Sequence, residues 1–439
     1  MSSTELQALT ASVARIETVF SVGRVARLNE ATISVSGLSV RAALGDMVDI
    51  RRRSGHAIGG EIIQLGGDLV DILPTTPLFG VSVGDRVLLR QPAWLAPHDS
   101  WIGRVIDPFG AALDGRPILS GVKVRPLQAT APPATERRRL GPRLETGLAA
   151  FNTFLPIVRG QRIGLFSGSG VGKSTLLAGL ARGLDADVVV VGLVGERGRE
   201  VRHFVDTVLG PRGMARAVVV AATSDQGALA RRRCAWSAMA VAEYFRDQGL
   251  HVLVLMDSIT RFAEAHREIA AASGEPGAQH GMPPSLSHQI MALAERAGPG
   301  TQDAGDITAV FSVLVAGSDM DGPVADILRG VLDGHVVLDR SIAERGRFPA
   351  IDLLRSVSRS LPDAASDEEN RVLALGRSLL GAYDRAELMI QSGLYQNGSD
   401  PLVDQAIACW QGLDRFLAAT SSETVADSFA RLNLALSGA

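Results

Sequence analysis

The chain has 439 residues, a formal net charge of −3, and is 46% apolar and 21% charged. That length exceeds one compact core and predicts two or three domains, and the composition is that of a folded globular protein rather than a disordered one. The near balance of charge excludes a global basic field of the kind that gathers nucleic acid. Two distant cysteines, Cys234 and Cys409, exclude a disulfide framework. No apolar run of about 18 residues is present to cross a bilayer, and no signal-peptide pattern opens the chain. A cytoplasmic location is expected, with any membrane association peripheral and arranged through partners.

Residues 1–18 place Leu6, Leu9, Val13 and Ile16 at helical spacing. Such a stripe either packs on its own domain or docks a partner protein. From 19 to 91 the texture is short β-like runs broken by Gly, Asn and Asp, such as Gly23–Leu28, Met47–Arg51, Gly60–Gln64 and Arg86–Leu89. Several short strands at close spacing predict a small barrel. A Pro- and Gly-marked connection runs from 92 to about 150. Beyond it, apolar runs alternate with helical stretches: Val188–Val194, Ala217–Ala222, Val252–Met256, Ile307–Val315 and His335–Leu338. Continuous apolar strands between helices predict a parallel sheet covered on both faces. Residues 92–361 are read as one core. After Pro362 β-like runs almost vanish and 362–439 reads as helices, with loops near Asn397–Pro401 and Thr420–Glu423.

The strongest local signal is Ser167-Gly168-Ser169-Gly170-Val171-Gly172-Lys173-Ser174-Thr175. It follows the apolar run Arg162–Phe166 and opens onto the helix-like run Leu176–Ala181, the strand–loop–helix setting of a phosphate-binding loop. Glycines let successive N–H groups curl around a phosphate, and the helix N-terminus adds partial positive charge. Lys173 is placed to reach the β and γ phosphates, and the Ser174 hydroxyl to ligate Mg2+. The strict pattern begins with Gly where this chain has Ser167. A nucleoside triphosphate and Mg2+ are the expected ligands.

Hydrolysis needs a metal anchor, a group that orients water, and positive charge at the transition state. Val252–Met256 ends in Asp257, a carboxylate positioned to hold Mg2+, directly or through water, beside Ser174. Val188–Val194 runs into Gly195-Glu196-Arg197, where Glu196 is the candidate to polarise water and Arg197 the candidate to orient that carboxylate. His280 and His288 lack further ligand residues nearby and are read as surface histidines.

Three stretches occur in order: Gly195-Glu196-Arg197; Asp257-Ser258-Ile259-Thr260-Arg261-Phe262; and Pro349-Ala350-Ile351-Asp352, followed after three residues by Ser356-Val357-Ser358-Arg359. Together they resemble the α/β-subunit family of rotary ATP synthases. Within that family the chain is most similar to the ATPases of type III protein export. Ala242-Glu243-Tyr244-Phe245-Arg246, Gly274-Glu275-Pro276, Ala343-Glu344-Arg345-Gly346 and Ser392-Gly393-Leu394-Tyr395-Gln396 carry that likeness. The flagellum-specific branch is favoured over the injectisome branch.

The resemblance implies an α/β fold: a RecA-like parallel-sheet P-loop core, an N-terminal small β-barrel and a C-terminal helical domain. It implies catalytic roles for Glu196 and Lys173, a Walker-B role for Asp257, and an arginine finger at Arg359 that reaches a neighbour's site. Phe348 is placed to stack on adenine, and Tyr395 to complete that pocket. Glutamate and finger on one chain imply a homohexamer with sites at subunit interfaces. Regulator or stator proteins, a stalk, export cargo and chaperones are the implied partners, with no nucleic acid. The loop 274–290 departs from the family pattern at Gly277, His280 and Met282. Two rivals remain: a non-catalytic ring subunit, against which Glu196 argues, and a hexameric RNA translocase, against which the few aromatics of the barrel argue.

Overall fold

The computed structural model describes residues 3–277, 281–315, 322–419 and 424–437. His280 and the loop expected at Thr420–Glu423 lie outside the described residues. Helix α1 (Ser3–Ala14) leaves its apolar stripe open, with Leu6, Leu9, Val13 and Ile16 all exposed. It is tethered just past its end, where Arg15 donates to the Gly121 carbonyl at 3.0 Å and lies over the Trp94 ring. Of the two readings of that stripe, packing on its own domain is not what the chain does.

Strands β1 (Val22–Leu28), β2 (Ile33–Ser36), β3 (Asp46–Arg51), β4 (Ala57–Gly66), β5 (Leu69–Pro74) and β6 (Arg86–Pro92) close into a barrel in the order β1-β2-β5-β4-β3-β6. Alternate residues point inward, and Val25, Ile33, Val35, Ile50, Ile62 and Ile72 fill the interior with β-branched bulk. Strand β5 was not among the runs read from sequence. The Gly66-Gly67-Asp68 turn and the alternation of Leu69–Pro74 are the signal that finds it.

The connection after the barrel is more than a linker. Strand β7 (Trp94–Leu95) pairs with β9 (Arg125–Pro126), and between them β8 (Arg104–Ile106) joins the edge of the main sheet. A short helix α2 (Ala149–Asn152) precedes the core.

The core alternates strand and helix. In order come β10 (Arg162–Ser167), α3 (Lys173–Gly183), β11 (Val188–Glu196), α4 (Gly198–His203), α5 (Gly210–Met214), β12 (Ala217–Thr223), α6 (Ala228–Arg246) and β13 (Val252–Asp257). There follow α7 (Ile259–Ala272), α8 (Ser285–Glu295), β14 (Ile307–Leu314), α9 (Pro323–Val331), β15 (Gly334–Leu338), α10 (Arg340–Glu344) and β16 (Ile351–Ser358). The sheet runs β16-β15-β10-β14-β13-β11-β12-β8, parallel except for β16, which is antiparallel to β15. Helices cover both faces, so Val188–Val194 is buried at every residue, as a doubly covered parallel strand must be.

Three helices close the chain: α11 (Asp367–Gln391), α12 (Pro401–Leu417) and α13 (Val425–Leu436). Capping boxes start the first and last, Ser366 with Glu369 and Thr424 with Asp427. Tyr383 and Trp410 stack between α11 and α12 with ring centres 3.8 Å apart. No helix among the described residues is long and apolar enough to cross a membrane.

Candidate functional site

Parallel strands deliver their carboxyl ends to one edge of the sheet, and ligands of such folds bind there. Strand β10 ends at Ser167, and the loop to α3 turns on Gly170 and Gly172, both at positive φ (78° and 85°), where a side chain would strain the backbone. Val171 is buried beneath the loop, anchoring it, while Ser169, Gly170, Ser174 and Thr175 lie on its open side. Gly168 is half-buried, and no hydrogen bond within the described residues occupies the Ser174 hydroxyl.

Strand β13 ends at Asp257, and Lys173 Nζ makes a close ion pair with its Oδ1. Ser312 Oγ on β14 donates to the same oxygen at 2.6 Å. Glu196 ends β11, beside β13 in the sheet. Burial, and then the charge of Asp257, push its carboxyl up to about 7, with Lys173 opposing. A carboxylate raised in this way sits near the operating pH of a general base. The residue before it, Gly195 (φ 69°), packs against the stems of Arg261 and Arg231, where a Cβ would lie 3.3 and 3.4 Å from them.

Beside the loop opens a cavity of about 760 Å³, lined by Leu148, Gly172, Leu176, Phe348 and Pro349 among others. The Phe348 ring covers Gly172, is about half exposed, and offers a flat apolar face. A glycine-turned loop, a free hydroxyl, a lysine–aspartate pair and an apolar slot together fit a Mg2+–nucleotide, since Mg2+ keeps waters and phosphate oxygens as ligands rather than requiring a protein cage.

Two expected members stand apart. Arg197 is exposed and pairs with Glu200 at 3.6 Å, so it does not brace Glu196. Tyr395 donates to Asp404 at 2.9 Å and to the Asp400 carbonyl at 3.0 Å, closing the turn before α12, and it does not line the cavity. Arg359 is exposed just beyond β16, with its guanidinium donating to the Arg329 carbonyl at 3.1 Å. Register fixes where that is. Leu338 pairs with Ser167 at the phosphate-loop end, whereas Gly334 pairs with Ser358. Arg359, whose amide donates to the Asp333 carbonyl, is therefore five strand residues, roughly 16 Å, down the sheet from the loop. That is beyond the reach of its side chain in the conformation the structure shows, where the guanidinium turns to the Arg329 carbonyl.

Comparison with known proteins agrees with this layout. Residues 147–358 match the nucleotide-binding domain of the ATP synthase alpha/beta family, and residues 365–434 match the C-terminal domain of the type III secretion ATPase EscN. The flagellum-specific ATP synthase of Caulobacter vibrioides is 44% identical, over 97% of this chain and 98% of the relative. The chain belongs to the ATP synthase α/β family, in its type III export ATPase branch. The assembled ATPase EscN of enteropathogenic E. coli superposes with a TM-score of 0.88 at 34% identity, covering 94% of this chain and all of that one. EscN in complex with its central stalk EscO superposes with a TM-score of 0.85 at 35% identity over the same shares. Membership makes this chain an ATP hydrolase with a RecA-like core between a small barrel and a helical tail.

Sequence reasoning missed Ser312 and Arg231. Neither sits in a local motif. The hydroxyl of Ser312 is brought to Asp257 by strand order alone, and Arg231 reaches the Glu196 turn from an Arg-rich stretch of α6.

Proposed function

We propose that this chain is the ATP-hydrolysing motor of a flagellar type III protein export apparatus, working as a homohexameric ring. The observation that carries this reading is the split between the two ends of the sheet. Lys173, Asp257 and Glu196 gather at one end, and Arg359, the finger candidate of the family stretch, lies at the other. An interface between identical copies unites them.

In this reading the amides of Gly168–Thr175 and the Lys173 ammonium cradle the phosphates, with Gly168, Ser169, Gly170, Val171 and Gly172 supplying the loop. Ser174 and Asp257 hold Mg2+, which neutralises phosphate charge when bound. Glu196 accepts a proton from the attacking water. Arg359 of the adjacent copy stabilises the transition-state charge. Phe348 stacks on adenine. The open stripe of α1 suits a regulator or stator protein, the helical tail suits stalk, cargo and chaperones, and peripheral membrane association follows through those partners. Likeness to a flagellum-specific relative over nearly the whole chain supports the flagellar branch, and likeness to EscN supports the injectisome alternative.

The test is secretion from a strain carrying Glu196→Gln. Selective loss of filament protein from the medium, with loss of motility, is the expected result. Normal filaments with loss of a different secreted set would assign the protein to an injectisome instead.

A further inference from the structure

Strand β14 lies between the two strands that carry the phosphate loop and the metal carboxylate. Its residues are apolar and buried almost throughout, yet Ser312 stands in the middle with 0% exposure. A buried hydroxyl is costly unless it is hydrogen-bonded. Two other buried serines of the sheet donate to main-chain carbonyls, Ser356 to that of Asp352 and Ser358 to that of Pro156, while the Ser167 hydroxyl at the end of β10 has no partner among the described residues. Ser312 differs: it donates to a carboxylate of the site, Asp257 Oδ1, at 2.6 Å. Met256 pairs with Phe311, so Asp257 and Ser312 occupy the next rung and rise from the same face.

Lys173 occupies that same Oδ1. When Lys173 turns to nucleotide phosphates, the carboxylate loses its cationic partner, and Ser312 is the donor left on that oxygen. Among the described residues, both of these donors land on Oδ1 and none reaches Oδ2. We propose that Ser312 is a positioning residue: it fixes Asp257 from within the sheet so that the carboxylate stays oriented for the metal while Lys173 transfers to phosphate. The inference rests on the reading of Asp257 as the magnesium carboxylate.

The test is equilibrium binding of a fluorescent, non-hydrolysable ATP analogue to the full chain, with millimolar Mg2+ and with EDTA. Losing a hydrogen bond to a charged group in Ser312→Ala should cut the Mg2+-dependent gain in affinity by on the order of tenfold. Binding in EDTA should match wild type, and Ser312→Thr, which keeps the hydroxyl, should restore the gain. An unchanged Mg2+ gain in Ser312→Ala overturns the proposal. So does an equal loss in EDTA, which would mark a general distortion of the loop. Asp257→Asn separates the two levels. It should abolish the Mg2+ gain, and if it does not, the assignment of Asp257 fails and takes this inference with it.

Discussion

Glu196 is the residue whose environment departs furthest from that of its neighbours in the site. Its carboxyl is raised to about 7 by burial and by Asp257, whereas the unfolded chain titrates near the ordinary value of 4.5. A raised carboxyl binds its proton more tightly in the folded state. Its stabilising contribution is therefore full below about pH 4.5 and is lost as pH rises through 7. In nucleotide- and metal-free protein, Glu196→Gln should melt at a higher temperature than wild type at pH 8, with the gap narrowing below pH 7 and closing toward pH 4.5. A melting curve at each pH checks this. The same substitution should cut turnover by about 10²–10⁴, the range for a general base, while leaving nucleotide binding in place. Phe348→Ala should act differently, raising KM for ATP with little effect on kcat, because stacking binds ground and transition states alike. Steady-state kinetics of the two variants side by side distinguish the roles.

Between elements, one buried ion pair stands out. Arg296 and Glu243 are each 3% exposed and meet through two hydrogen bonds of 2.8 and 2.7 Å. Arg296 also donates to the Leu127 carbonyl at 2.6 Å, so α6, the end of α8 and the connecting region are tied at one point. Removing one partner of a buried pair strands the other charge. Glu243→Ala should therefore cost about 3–5 kcal/mol in unfolding free energy, and Glu243→Leu with Arg296→Met should recover much of it. Denaturant titration measures both. Glu243 is legible in sequence only as part of a family stretch. Nothing local reveals that its partner lies 53 residues on. The phosphate loop was legible because its chemistry is contiguous. The pairing of Ser312 with Asp257 was not, because it depends on which strands are neighbours.

At the scale of the whole molecule, the proposed role of Arg359 as a finger leaves a single copy incomplete. Glu196→Gln and Arg359→Ala should each be nearly inactive, the finger change costing about 10³–10⁵ in rate. Mixed together, they should regain activity. An interface that takes Glu196 from one variant and Arg359 from the other is intact, and random assembly of equal amounts makes about a quarter of interfaces so. A mixture no more active than its components would show that finger and glutamate act within one chain.

The sequence by itself determined the order barrel, sheet core and helical tail. It also placed the glycine-turned loop before α3 and the strand-end carboxylates Asp257 and Glu196, because periodicity, glycine turns and strand ends are local properties of a chain. Only the tertiary structure decided the rest. It turned the α1 stripe to solvent, sent Arg197 to Glu200 and Tyr395 to Asp404, brought Ser312 to Asp257, and set Arg359 at the far end of the sheet. Each of those outcomes depends on strand order and register, through which residues distant in sequence become neighbours and residues adjacent in sequence are turned apart.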